Sequence, residues 1–233
     1  MIQLTLNLSG RTVFGRSDFL VSDSNAAAMA WIERWPDWPA SPLVMHGPPG
    51  CGKTHLAHLW SERASAVLLT GAALDEGEVA RLVARRSSHV VIDNADEAAE
   101  LALLQTYNWC WECRGSLLII GRRPPACWRI ALDDLGSRLR AAHTVEIGRP
   151  DDALLAGVLV KHFADRQLSV SPEVIAFLIR RIERSFASAA DISARLDAAA
   201  LREKSPVTIA LARTVLAQNG YWPDEGSDGD ARP

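Results

Sequence analysis

The sequence contains no long run of apolar residues and few cysteines. No stretch reaches the roughly 20 apolar residues that a membrane-spanning helix needs, and no basic start is followed by an apolar core of the kind found in secretory leaders. Four cysteines in 233 residues are too few for a disulfide framework. We therefore expect a cytoplasmic protein that makes no use of a membrane.

An excess of positive charge is also lacking. The formal net charge is -3, so the chain has no overall basic field that would hold a polyanion. Autonomous binding to duplex DNA is not expected, although a local basic patch stays open. Hydrophobic residues at 48% and charged residues at 23% are ordinary for a soluble globular protein.

What the sequence does contain is a regular alternation of apolar strands with amphipathic helices. Five short apolar runs alternate with helical segments, and they read SPLVMHG, AVLLTG, HVVIDNAD, SLLIIG and HTVEIG. This order predicts an α/β fold with a parallel five-stranded sheet and helices on both of its faces. We expect the first helix to begin at residue 25 or 26 with a cap from residues 22–24, and EAAELALLQTYNWCWECRG to form one long helix.

Composition divides the chain into four parts. Residues 11–150 carry the alternating pattern, and residues 151–219 have only helical periodicity, which predicts a small all-helical subdomain. The Gly-, Pro- and Asp-rich residues 220–233 are predicted to be disordered. Residues 1–10 alternate apolar and polar side chains, as either an edge strand or an extended docking peptide would.

A phosphate-binding motif follows the first buried strand and opens a helix. GPPGCGKT fits GxxxxGK[ST] completely, and its glycines let backbone N–H groups surround phosphates at the positive end of the helix dipole. Lys53 would reach the β- and γ-phosphates, and the Thr54 hydroxyl would hold Mg²⁺. The predicted nucleotide-binding set is Gly47, Pro48, Pro49, Gly50, Cys51, Gly52, Lys53, Thr54, His55 and Asp93. His55 and His58 also have the spacing of an ordinary helix face.

Asp93 ends the apolar run HVVID and is the second expected Mg²⁺ contact, through the water shell of the metal. The alternative is a carboxylate that caps the next turn. Asn94 follows where a water-activating ATPase usually has a carboxylate. Since an amide cannot accept a proton, this pattern favours nucleotide binding without strong hydrolysis.

Cys110 and Cys113 form a CxxC within WCWECRG. A zinc site would need two more ligands at matching spacing, and the sequence offers neither a second CxxC nor an HxxxH. The pair is interpreted as structural or incidental.

Four motifs occur in the order GPPGCGKTHL, VVIDNAD, GRRPP and DLGSRL, with helical segments after them. In these the chain resembles the AAA+ ATPases of the replication-initiator group, the DnaA-related family, and within it the Hda branch of regulatory inactivators of DnaA. The resemblance covers residues 1 to about 218. It implies a helical lid, ADP or ATP with Mg as ligand, and DnaA as partner. DNA-binding DnaA proteins carry a helix-turn-helix domain after the lid, and the resemblance to the Hda branch leads us to expect none here.

The same resemblance implies that the N-terminal peptide docks on the β sliding clamp of DNA polymerase III, with DNA reached only through the clamp. Glutamine would hydrogen-bond the rim of a pocket that spaced leucines fill. The matching residues are Gln3, Leu4, Leu6 and Leu8. Self-association as a dimer stays open.

Arg138, in GSRL, matches the arginine finger of the family, which reaches the γ-phosphate of a neighbouring subunit. Arg140 is the alternative. The chain departs from the family pattern in two motifs. At the sensor motif after the fourth strand, Ile120 and Arg122 replace a Thr and an Asp. In the lid, Ala187 stands where the sensor arginine is expected, and Arg184 lies three residues earlier. Both departures favour ADP held as a structural ligand.

These expectations describe a negative regulator of replication initiation that promotes ATP hydrolysis by DnaA in trans. The alternative is an independent ATPase of the helicase-loader type. It would need a water-activating carboxylate beside Asp93. A small-molecule kinase would leave the helical subdomain and the N-terminal peptide without a role.

Overall fold

A computed structural model describes residues 19–39 and 42–218. Within these ranges a five-stranded sheet alternates with helices and is followed by a helical lid. The strands are β1 (Leu43–His46), β2 (Val67–Thr70), β3 (His89–Asp93), β4 (Ser116–Gly121) and β5 (His143–Glu146). The helices between them are α1 (Ala26–Arg34), α2 (Lys53–Ala64), α3 (Glu76–Ala84), α4 (Glu100–Glu112) and α5 (Asp133–Ala141). The lid contains α6 (Asp152–Asp165), α7 (Pro172–Ile179), α8 (Phe186–Glu203) and α9 (Ile209–Gln218).

All strand pairs in the sheet are parallel, and the strand order is β2-β3-β4-β1-β5. Strand β1 lies between β4 and the edge strand β5, and it pairs with β4 from Leu43↔Leu118 and with β5 from Leu43↔His143. Each crossover passes through a helix, as parallel pairing requires. The carboxyl ends of β1 and β3 lie at the same edge, which places the two sequence motifs that follow them on one side of the sheet. The predicted fold class is confirmed.

Both faces of the sheet are covered, because successive strand residues point to opposite sides. Leu43 and Met45 belong to the hydrophobic cluster that α1 and α2 complete. Val44, Val90 and Ile92 belong to the cluster on the other face, with side chains from α3, α4 and α5. Two-sided burial explains why these strands read as continuous apolar runs and not as an alternating pattern.

The lid has a hydrophobic core of its own. Phe163, Leu178, Leu196 and Leu216 are buried in a cluster that draws only on residues after Leu154. None of the helices in the described ranges has the length and apolar character to cross a bilayer. The segments 1–10 and 220–233, predicted as docking peptide and tail, lie outside the described residues.

Two local predictions were wrong. Helix α1 does begin at Ala26, but its N-cap is Asn25, whose side chain bonds the Ser22 N–H (2.9 Å) and the Leu20 carbonyl (3.0 Å) without bonding the helix. Helix α4 begins at Glu100, later than predicted, because residues 95–97 form a separate 3₁₀ turn behind a left-handed Asn94.

Candidate functional site, a nucleotide pocket between sheet and lid

The phosphate-binding loop connects β1 to α2 at the carboxyl edge of the sheet. Gly50 has φ +71° and Gly52 has φ +97°, conformations that side-chain-bearing residues rarely adopt. Gly52 is the N-cap of α2, so the first N–H groups of that helix face the loop. The loop therefore has the backbone geometry that cradles phosphate groups.

Lys53 lies inside this loop and is only 7% exposed. Its Nζ donates to the carbonyls of Gly47 (2.8 Å) and Pro48 (2.7 Å), and the Cys51 Sγ is 3.8 Å away. Burial raises the pKa of the Cys51 thiol, and the Lys53 charge opposes that shift. The ammonium group is thus held at the centre of the loop by neutral acceptors, and its charge has no carboxylate partner among the described residues.

Thr54 and Asp93 meet across the carboxyl edge of the sheet. The Thr54 hydroxyl donates to Asp93 Oδ2 at 2.7 Å, and the Asn94 N–H donates to Oδ1 at 2.9 Å. Asp93 is 5% exposed. A hydroxyl and a carboxylate are the oxygen donors that Mg²⁺ prefers beside nucleotide phosphates, so the two side chains fit a magnesium ion. Asn94 offers no group that can accept a proton from water.

The lid closes directly on the phosphate loop. The Phe186 N–H donates to the Gly50 carbonyl at 2.8 Å. A Cβ on Gly50 would lie 2.5 Å from the Cβ of Ser185, and one on Gly52 would lie 2.9 Å from the Phe186 ring. No local sequence pattern signals this contact, because the hydrogen bond joins backbone atoms of residues 136 positions apart.

Phe19 adds a third wall that sequence reasoning missed. Its ring is edge-on to the His55 ring, with centroids 5.2 Å apart, and it lies near Gly52. Leu20 in turn approaches Gly157 of α6. The residues before α1 and the lid therefore both contact the phosphate loop, while Pro49 and Thr54 of the predicted set stay exposed. The His55 ring contacts the ring of Phe19.

The two sensor positions carry no polar group aimed at the pocket. Ile120 is fully buried within β4, and Arg122 pairs with Glu97 at 3.1 Å on the surface. Ala187 is exposed in the first turn of α8. Arg184 forms an ion pair with Asp152 at 2.8 Å, so its guanidinium is directed to α6.

Arg138 lies on α5, away from the phosphate loop of its own chain. Its Nε donates to Asp134 Oδ1 at 2.8 Å, and its guanidinium carbon stands 4.9 Å from the centroid of the Tyr107 ring. The hydrogen bond with Asp134 raises the pKa of Arg138. The side chain is 35% exposed. Arg140 is exposed and folds back over Gly136, so the two arginines differ in how firmly they are held.

The two cysteines of the CxxC occupy different environments. Cys110 is buried in the core under α4, and burial raises the pKa of its thiol to about 12. Cys113 is exposed. In the ranges that the structure describes, no three His, Cys, Asp or Glu side chains are grouped to hold a metal.

Comparison with known proteins adds sequence and fold relatives. Residues 152–216 match the family model described as the Hda lid domain. The chromosomal replication initiator protein DnaA of Herpetosiphon aurantiacus is 26% identical over 227 residues, covering 86% of this chain and 48% of the relative. That of Thermomicrobium roseum is 25% identical over 226 residues, with the same coverage. The chain spans about half the length of the curated relatives it matches.

Solved structures agree on the fold. Domain III of the Thermotoga maritima replication initiation protein DnaA superimposes with a TM-score of 0.75 at 16% identity, covering 88% of this chain and 96% of that one. The RuvB Holliday junction branch migration motor of the same organism gives 0.66 at 16% identity, covering 84% and 66%. AMPPCP-bound DnaA from Aquifex aeolicus gives 0.60 at 16% identity, covering 71% and 59%.

Proposed function

We propose that this chain, a DnaA-related AAA+ protein with an Hda-type lid, is a nucleotide-binding regulator that stimulates ATP hydrolysis by the initiator DnaA. The observation that carries the proposal is the match of residues 152–216 to the Hda lid domain. This lid follows an α/β part of the chain, and the two together have the fold of DnaA domain III. We place the action of the protein in negative regulation of replication initiation.

The ligand that we propose for the phosphate loop is ADP or ATP with Mg²⁺. The phosphate loop would hold the phosphates through its backbone N–H groups and Lys53, and Thr54 with Asp93 would hold the metal ion. A Mg²⁺ ion there neutralises phosphate charge. The relative from Aquifex aeolicus carries AMPPCP, an adenine nucleotide analogue, which supports this ligand class.

We infer that hydrolysis in this pocket is weak and that ADP is the resident form. Asn94 cannot take a proton from an attacking water, Ile120 is buried, and Ala187 is too short to reach a γ-phosphate. A bound nucleotide then acts mainly as a brace between the phosphate loop and the lid, through the contact of Phe186 with Gly50.

Arg138 is the proposed arginine finger, supplied to the ATP site of DnaA. Asp134 and Tyr107 hold its guanidinium on α5, so less conformational freedom is lost when it meets a phosphate. An arginine supplied in trans stabilises the negative charge that develops during phosphoryl transfer and accelerates it by roughly 10³- to 10⁵-fold in the systems where it has been measured.

The docking peptide is the second part of the proposal. Residues Gln3, Leu4, Leu6 and Leu8 bind the β sliding clamp on DNA, which brings Arg138 to DnaA near newly replicated DNA. Truncation of residues 1–8 is expected to abolish clamp binding while nucleotide binding stays unchanged. Clamp affinity that survives the truncation would contradict this part.

The decisive experiment measures ATP hydrolysis by DnaA in the presence of this protein and DNA-loaded clamp. Wild type is expected to stimulate hydrolysis, and Arg138→Ala is expected to remove the stimulation. Arg140→Ala is the matched control, since it removes an equal charge from the same helix. Both variants should fold, because ion pairs between solvent-exposed side chains contribute little to stability.

Each result has one meaning. Loss with Arg138→Ala alone supports the finger, and loss with Arg140→Ala alone moves that role to Arg140. Absence of stimulation by wild type refutes the proposed action on DnaA. Robust turnover by the isolated protein would favour the alternative, an independent ATPase of the helicase-loader type.

A further inference from the structure

A surface pocket of about 330 Å³ lies beside the carboxyl edge of the sheet, and none of its lining residues belongs to the phosphate loop. It is formed between the 3₁₀ turn after β3 (Ala95–Glu97) and the segment after β4 that contains a second 3₁₀ turn (Pro125–Cys127). We call it the Trp128 pocket, and its apolar wall contains Ala95, Leu103, Trp128, Ile130 and Leu135. Ligand-binding clefts have volumes of roughly 300–1,000 Å³, so this one holds a large side chain with its immediate neighbours.

The apolar wall of the Trp128 pocket is continuous with the hydrophobic core. Ala95, Leu103 and Leu135 are at most 2% exposed. Trp128 and Ile130 are partly buried and pack against the same cluster. An apolar side chain that enters the pocket therefore loses contact with water on the side of the core, which favours its binding.

Hydrogen bonds hold the walls of the pocket in place. Glu100, at the start of α4, accepts from the N–H groups of Ala131 (2.9 Å) and Leu132 (2.8 Å), and these bonds lower the pKa of its carboxyl. The Trp128 indole N–H donates to the Arg123 carbonyl at 2.7 Å. A pocket that is formed before its ligand arrives loses little conformational entropy on binding.

Two arginines at the rim of the pocket lack partners among the described residues. Arg123 and Arg129 line the pocket and are exposed, and neither guanidinium has a hydrogen bond or an ion pair there. The two acidic lining residues are Asp96 and Glu100. Because Glu100 already accepts from backbone N–H groups, two cations face one exposed carboxylate, that of Asp96. The rim therefore has an excess of unpaired positive charge.

We propose that the Trp128 pocket binds a segment of a partner protein in which an apolar side chain lies next to a carboxylate. The side chain packs on the apolar wall, and Arg123 and Arg129 pair with the carboxylate in the forked geometry of guanidinium groups. Charge complementarity selects this ligand over a phosphopeptide. A phosphate group carries a charge of about -1.5 to -2, so Asp96 repels it more strongly than it repels a carboxylate.

The proposal does not depend on the function proposed above. None of the lining residues is assigned to the nucleotide, to the clamp or to the arginine finger, and the isolated protein can be tested without DnaA.

Two exposed thiols allow binding to be measured at the pocket itself. Cys127 lines the pocket, and Cys113 is also exposed. Cys113 follows α4 at the end opposite to Glu100, about 20 Å away along the helix axis. A ligand in the Trp128 pocket should therefore slow the alkylation of Cys127 and leave that of Cys113 unchanged.

The experiment follows the alkylation of both thiols of the full chain by iodoacetamide, using mass spectrometry at constant ionic strength. The probe is the peptide acetyl-Gly-Phe-Asp-Gly-amide at about 10 mM, for which we expect a Kd of about 1 mM from its size. It should slow the labelling of Cys127 about tenfold. Gly-Phe-Asn-Gly lacks the charge and Gly-Gly-Asp-Gly lacks the apolar side chain, so each should slow labelling less than about twofold.

Charge variants test the role of the rim. Arg123→Gln combined with Arg129→Gln should weaken binding of the acidic peptide about tenfold, whereas Asp96→Asn should strengthen it about threefold because it removes a repulsion. Arg85→Gln combined with Arg180→Gln is the matched control, since both arginines are exposed elsewhere on the chain. It removes the same charge and should bind like wild type.

The ratio of the labelling rates without and with peptide is taken within each variant, so that changes in the intrinsic reactivity of the thiol cancel. Circular dichroism verifies that every variant is folded. Slowing that is confined to Cys127, requires both Phe and Asp in the peptide, and changes in opposite directions in the two rim variants supports the proposal.

Several results overturn the proposal. These are no slowing of Cys127, equal slowing of Cys113, equal slowing by the neutral Asn peptide, and an unchanged effect in the Arg123 and Arg129 variant. Weaker binding after Asp96→Asn also contradicts it. Tighter binding of a peptide with phosphoserine in place of Asp would identify a phosphopeptide site instead.

Discussion

Replacing Gly50 by alanine tests the contact between the phosphate loop and the lid. At φ +71° an alanine costs roughly 1–2 kcal/mol through its Cβ. The added methyl would also lie 2.5 Å from the Ser185 Cβ, and overpacking of this kind costs about 1–3 kcal/mol. If the lid moves away to relieve the clash, the Phe186–Gly50 hydrogen bond is lost, worth about 1 kcal/mol.

The clash can be separated from the backbone strain by a second substitution. Ser185→Gly removes the Cβ that the new methyl would meet and, as a change at an N-cap, costs only a few tenths of a kcal/mol. We expect Gly50→Ala to lower the free energy of unfolding by about 3 kcal/mol. The double variant should recover about 1–2 kcal/mol relative to the sum of the single effects.

Urea unfolding without nucleotide, followed by circular dichroism, measures the four free energies of this cycle. Tryptophan fluorescence in parallel reports on the sheet half, because the described lid contains no tryptophan. If the changes in the free energy of unfolding caused by Gly50→Ala and Ser185→Gly are strictly additive, the lid does not press on the loop. A cost below about 0.5 kcal/mol for Gly50→Ala would refute the left-handed loop geometry itself.

Three further predictions use other parts of the molecule. Mg²⁺ should increase the nucleotide affinity of wild type, and Asp93→Asn should reduce this increase by at least about tenfold. Nucleotide titrations with and without Mg²⁺ measure it, and an undiminished increase would exclude Asp93 from the metal site. Iodoacetamide should label Cys113 rapidly and Cys110 only on unfolding, because the buried thiol has a pKa of about 12; mass spectrometry of the folded protein checks this, and equal labelling would contradict the burial. Burial lowers the pKa of His89, and its Nδ1 accepts the Ser116 N–H at 3.2 Å. The neutral imidazole therefore stabilises the fold above the unfolded-state pKa of about 6.5. This stabilisation is lost as the pH falls below that value. Thermal melting between pH 7.5 and 5.5 should show a decrease that His89→Gln reduces, and an unchanged decrease would assign the pH dependence to other groups.

Buried elements were the ones that the sequence predicted well. SLLIIG became β4 at Ser116–Gly121, and KTHLAHLWSERA became α2 at Lys53–Ala64. Strands buried on both faces need apolar side chains throughout, and a helix that follows a glycine loop has its start marked by sequence. The position of Asp93 at the carboxyl edge of the sheet, beside the start of α2 with Thr54, was also expected, since parallel strands end at one edge.

Features that depend on contacts between residues far apart in the sequence were not predicted. EAAE has strong helix propensity, but the left-handed Asn94 and the bond from the Glu97 N–H to its carbonyl hold that stretch in a tighter turn. Asn25 caps α1 by sequence position, yet its side chain holds the preceding loop. The wall formed by Phe19 depends on contacts that no local pattern encodes.

The separate core of the lid has a kinetic consequence. Opening of the lid breaks the Phe186–Gly50 bond and the side-chain contacts around it, but it exposes neither the sheet core nor the lid core. A bound nucleotide can therefore leave at the rate of a local hinge motion, which is microseconds to seconds. It need not wait for global unfolding, which in stable domains takes up to days.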